Sequence, residues 1–143
     1  MRVSFAGLLA LCAFALFLLG RQASGEEKPK AGRERLFEMR TYTAAPGKLE
    51  ALHARFREHT NKLFVKHGME LIGYWTPADG PKAANTLVYI VAHKDGEAKE
   101  KSWKGFGADP DWKKARDASE VNGKLVEKVE SVVLKPTDYS PIR

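Results

Sequence analysis

The chain is nearly without cysteine. Its one cysteine, Cys12, lies in the apolar leader. A domain downstream of that leader has no thiol for a disulfide or for nucleophilic catalysis, so its stability must come from an ordinary hydrophobic core. Other signatures are missing too. There is no CxxC, GxSxG or HExxH and no glycine-rich phosphate loop; the G-F-G at 105–107 lacks the preceding strand such a loop needs. A concentrated basic stripe is also lacking. The net charge is +6, of which Arg2 and Arg21 supply two, leaving +4, and signs alternate in stretches such as K-D-G-E-A-K-E-K. That pattern excludes a nucleic-acid partner.

One long apolar run is present, Val3 to Leu19, between Arg2 and the small residues Ala23-Ser24-Gly25. Charge, apolar run and small-residue exit make a signal peptide over residues 1–25, cleaved after Gly25, and predict export to the periplasm or medium. An uncleaved anchor is the alternative, because the run is close to the length that spans a bilayer. With cleavage, no membrane attachment remains. Leu11 before Cys12 does not suit lipid attachment. Residues 26–35, polar with Pro29 and Gly32, read as a flexible linker, and residues 36–143 as one domain.

The domain begins with F-E-M-R-T-Y, which alternates between Phe37, Met39 and Thr41 on one side and Glu38, Arg40 and Tyr42 on the other. That is a central strand, with the first trio suited to lie under helices. Lys48 to His67 has helical spacing, with Leu49, Leu52, Phe56 and Leu63 on one stripe and Gly68 as its stop. Met69–Thr76 and Thr86–Ala92 read as strands, the latter buried on both faces. Glu97–Phe106 is weakly helical, and Asp109-Pro110 opens a further helical stretch to about Glu120. Leu125–Leu134 is the last strand, followed by an extended tail. The order strand, helix, strand, strand, helix, strand predicts an α+β, ferredoxin-like split βαβ fold with an antiparallel four-stranded sheet. Helices cover one face of such a sheet. The other is apolar as well and calls for a second subunit, hence a homodimer.

His59 falls three residues after Phe56 and four before Leu63, so regular helical spacing turns it toward the sheet. There it is either a general base in a pocket or a core histidine bonded to a carbonyl or tyrosine. His67 in the last turn suits the helix dipole. No metal site is expected, because His53 and His59 lie on different sides of the helix and His93 is elsewhere. No cofactor is expected either. Arg40 and Glu130 stand on neighbouring strands as an ion pair, or Arg40 holds an anionic ligand. Tyr42, Trp75, Trp103, Phe106 and Trp112 either line a pocket for a small aromatic or apolar molecule or pack the core.

F-E-M-R-T-Y at 37–42, P-G-K-L at 46–49, H-G-M-E-L-I-G-Y-W at 67–75, N-T-L-V-Y-I-V-A-H at 85–93, D-P-D-W at 109–112 and E-S-V-V-L-K-P at 130–136, with S-P at 140–141, together resemble a NIPSNAP domain. The resemblance runs over about residues 35 to 142. Val91 stands where the family usually has an aromatic residue. It implies the dimeric α/β-barrel architecture, and a histidine near position 59. It implies no reaction, since relatives on this architecture include cofactor-free monooxygenases, isomerases and haem-degrading enzymes. Two functions stay open: a small-molecule-binding or interaction module without chemistry, and a cofactor-free monooxygenase or isomerase acting on an aromatic or polyketide-like molecule.

Overall fold

The computed structural model describes residues 35–143. Residues 1–34, on which the expected signal peptide and most of the expected linker fall, lie outside them. Four strands, β1 (Leu36–Ala44), β2 (Glu70–Trp75), β3 (Thr86–His93) and β4 (Val126–Leu134), form one antiparallel sheet in the order β2-β3-β1-β4. The first helical segment comprises α1 (Leu49–Arg55), a π-helical turn at Phe56–Thr60, and α2 (Asn61–Lys66). Between β3 and β4 come α3 (Gly96–Ala108) and α4 (Pro110–Ser119). This is the expected α+β split βαβ fold. Among the described residues no helix is long and apolar enough to cross a membrane.

Local chemistry accounts for the boundaries. Gly68 takes a positive φ of 82°, which ends the first helical segment at almost no steric cost. The Asp95 carboxylate accepts the backbone N–H of Ala98 and caps α3. Asp109 does the same for α4 through the N–H of Asp111, with Pro110 in the first turn.

The core lies between helices and sheet: Leu52, Phe56, Leu63 and Phe64 above, Leu87, Tyr89 and Val91 below, and Phe106 from α3. The faces of β1 are the reverse of the expected ones. Glu38, Arg40 and Tyr42 stand opposite Val91, Tyr89 and Leu87, and so face the helices. Phe37, Met39 and Thr41, opposite Ala92, Ile90 and Val88, lie on the face without helices. Enough donors surround Glu38 to make its burial tolerable. The apolar trio is left for other cover. The C-terminal tail supplies part of it: Pro136, Thr137, Ser140 and Ile142 border, with Phe37, Ile72, Ile90 and Leu134, a hollow of about 330 Å³.

Candidate functional site

The centre of the helix-facing side is Glu38, buried at 2% exposure. Its Oε1 accepts from Arg40 Nη1 (2.7 Å) and Ser131 Oγ (2.7 Å). Its Oε2 accepts from Trp103 Nε1 (2.6 Å) and lies 3.3 Å from His93 Nε2. Three strands and α3 thus converge on one carboxylate. Burial alone would raise its pKa, but the hydrogen bonds from His93, Ser131, Trp103 and Arg40 outweigh it and hold the carboxyl well below the usual range.

Glu38 in turn fixes Arg40. The guanidinium carbon sits 4.4 Å from the centroid of the Trp103 ring and 5.7 Å from that of Tyr42, within cation–π range. Burial disfavours its charge, yet Tyr42 and Tyr89, where ionised at high pH, and at any working pH the Glu38 carboxylate bonded to it more than compensate, so it stays charged. Only Nη1 is bonded to Glu38, Nε has no partner, and the side chain remains 19% exposed. β4, paired only with β1, leaves this side of the sheet accessible through Val129 and Val133, which are 43% and 48% exposed. A cation backed by an indole, beside a partly open apolar strand, is an arrangement that can hold a flat molecule with one polar edge.

A row of tyrosines continues from Arg40 across the sheet. The Tyr89 hydroxyl donates to that of Tyr42 (3.1 Å), and the Tyr74 ring stacks on Tyr89 with centroids 5.5 Å apart. Burial pushes the pKa of Tyr89 well up, and that of Tyr74 also. Both therefore stay neutral and can act as hydrogen-bond donors.

Of the residues singled out from sequence, Arg40, Tyr42 and Trp103 come together here. His59 does not. Its side chain is 49% exposed, 3.8 Å from Glu58, in an outer groove with Ala115 and Ala118 of α4. The cause is the π turn. Each of its residues advances less around the axis than in an α-helix, so the residue four after Phe56 lands on the core stripe rather than the residue three after it. That residue is Thr60, buried at 2%, with its hydroxyl donating to the Arg55 carbonyl (3.3 Å). Trp75 stands apart at the β2 edge, 52% exposed, its ring packed over Gly73. Trp112 packs on Phe106, with centroids 4.5 Å apart, and under Arg55 at 5.2 Å; it holds helices together. Arg40 does not pair with Glu130, which stands opposite Thr41 on the other face and bonds Lys128. His67 binds the Asp109 carboxylate (2.6 Å), so its role is to join the end of α2 to the α3–α4 corner. Among the described residues, no three His, Cys, Asp or Glu side chains are placed to hold a metal ion.

Sequence reasoning missed Glu38, Ser131 and His93 as parts of this site. The available signal was an acid two residues before an arginine in an otherwise apolar strand, which places both on one face.

No curated protein matches the chain. Solved structures do. A NIPSNAP family protein of unknown function from Agrobacterium tumefaciens is 25% identical over 78% of this chain and 96% of its own, with a TM-score of 0.67. A NIPSNAP domain protein from Burkholderia xenovorans is 27% identical over 74% of this chain and 98% of its own, with a TM-score of 0.63. SnoaB, a cofactor-independent oxygenase from Streptomyces nogalater, is 14% identical over 77% and 99%, with a TM-score of 0.50, a likeness of fold alone. The NIPSNAP family profile matches residues 37–141. That span takes in the four strands, β1 from its second residue, and all the helices between them, and the chain belongs to the NIPSNAP family.

Proposed function

We propose that this NIPSNAP domain is a small-molecule-binding module. It takes a small aromatic or apolar ligand against Trp103, with Arg40 as the polar anchor. The observation that carries the reading is the Arg40 guanidinium itself, oriented by a buried carboxylate and backed by an indole, with donors left over. Preorganised groups of this kind lower the entropic cost of binding. The protein acts after export, with residues 1–25 as its signal peptide, and as a homodimer. Met39, Val88 and Ile90, with Val132 at 48% exposure, give the helix-free face enough apolar surface to favour burial against a second copy.

The cofactor-free oxygenase or isomerase reading has one supporting observation. A guanidinium and neutral phenols are aligned as groups that would stabilise an aromatic anion. Against it stands the lack of an accessible base among the residues described at this place: His59 is on the outer surface, His93 is fully buried with its Nε2 against Glu38, and Glu38 already serves four donors.

A thermal-shift screen of aromatic metabolites and haem on the purified protein tests the proposal. At least one compound should raise the melting temperature of the parent and lose that effect in Arg40→Gln. A screen in which no compound acts, or acts equally on the variant, contradicts it. Oxygen uptake on adding the hit would instead select the oxygenase.

A further inference from the structure

A second site lies at the other end of the tyrosine row. Between the C-terminal end of β2 and the first helical segment there is a cavity of about 360 Å³, lined chiefly by His53, Phe56, Asn61, Tyr74, Trp75 and Leu87. Two polar atoms of these residues, Asn61 Oδ1 and the Tyr74 hydroxyl, are buried and have no hydrogen-bond partner. The large majority of buried side-chain polar atoms in folded proteins are paired. Two orphans among the walls of one cavity therefore describe what it lacks: a donor for the amide oxygen and a partner for the phenol. Asn61 is the first residue after the π turn, and such turns recur beside functional sites. The rest of the lining is aromatic or aliphatic, and Arg57 and His53 add basic character. Arg57 Nη1 bonds Glu50, and the arginine side chain is 63% exposed.

We propose that this cavity binds a small hydroxylated aromatic acid. Its ring lies among Phe56, Tyr74 and Leu87, its hydroxyl donates to Asn61 Oδ1 and accepts from Tyr74, and its acidic group faces Arg57 and His53. The site is separate from the Arg40 groove, because Tyr89 stands between Tyr74 and Arg40 in the cross-strand register. It therefore does not depend on the ligand proposed there.

The test uses 4-hydroxybenzoate and benzoate as probes, with the indole N–H signal of Trp75 followed by NMR on the purified protein. Trp75 lines the cavity, whereas Trp103 packs against Arg40, so the readout is local. The Trp75 signal should shift saturably with 4-hydroxybenzoate. Benzoate, lacking the hydroxyl and both of its hydrogen bonds, should bind about a hundredfold more weakly. Tyr74→Phe and Asn61→Leu should each weaken 4-hydroxybenzoate by about tenfold. Tyr74→Phe removes a hydroxyl with no partner in the chain, so its melting temperature should hold or rise, which separates lost binding from lost fold. Absence of a saturable Trp75 shift in the parent, or unchanged affinity in both variants, overturns the proposal.

Discussion

Glu38 ties together side chains from β1, β3, β4 and α3. Replacing it with glutamine removes the charge that holds Arg40, Trp103, Ser131 and His93 together. The expected loss is roughly 1.5–3 kcal/mol, the range for hydrogen bonds to a charged group, measured by urea unfolding at neutral pH. The pH dependence has a definite sign. The folded pKa lies below the ordinary value of 4.5, so the contribution is full above that value and fades as pH falls beneath it. Stability of the parent should drop more steeply below pH 4.5 than that of Glu38→Gln. His59→Ala should behave quite differently. An exposed side chain with only a distant Glu58 as neighbour should change stability by no more than about 0.5 kcal/mol and leave ligand binding intact. Unfolding and binding measured on one sample check both. At this scale the sequence was legible where chemistry is local, as in the Asp109-Pro110 cap. It was misleading where a side chain's partner comes from a distant strand. Strand alternation puts Glu38 on the face of Arg40, but only the register shows that Glu130 stands opposite Thr41 on the other face and that Ser131 and His93 join the pair.

At the scale of elements, order and extent followed from pattern. Each strand and helix lies within a few residues of its expected place, because apolar period, glycine stops and capping acids are local signals. The π turn was not legible. It depends on Thr60 settling into the core with its hydroxyl on the Arg55 carbonyl, which no periodicity announces, and it moved His59 outward. The face of β1 was misjudged for a related reason: both of its faces are partly apolar, and what decides is the cluster of donors from β3, β4 and α3 around Glu38. The junction between α2 and α3 offers a test of packing. A Cβ on Gly105 would stand 2.7 Å from His67 Nδ1, and the ring cannot swing freely because its other nitrogen is bound to Asp109. Gly105→Ala should therefore destabilise by roughly 1–2 kcal/mol, despite alanine's better helix propensity, with the change read by thermal unfolding. A neutral or stabilising result would mean that the corner between α2 and α3 can open.

At the scale of the whole molecule, the sheet has two different faces. One is filled by helices, aromatic rings and the Glu38–Arg40 pair. The other presents Met39, Val88, Ile90 and Val132, with the tail over only one end. Light scattering should give twice the chain mass, and Ile90→Glu, which places a charge in the middle of that face, should give a folded monomer. A monomeric parent would contradict the pairing. The family fold was legible as a whole because many weak segments occur in the right order. The ligand was not, because the residues that would bind it are also ordinary core-formers. The most direct test of the binding account is therefore at Trp103. Its indole N–H is tied to Glu38 and its ring lies against Arg40, so its NMR signal reports on the proposed groove. Titrating a compound found by thermal shift should move the Trp103 signal saturably and leave that of Trp112, packed between helices, in place. Binding that leaves the Trp103 signal unmoved would contradict the account.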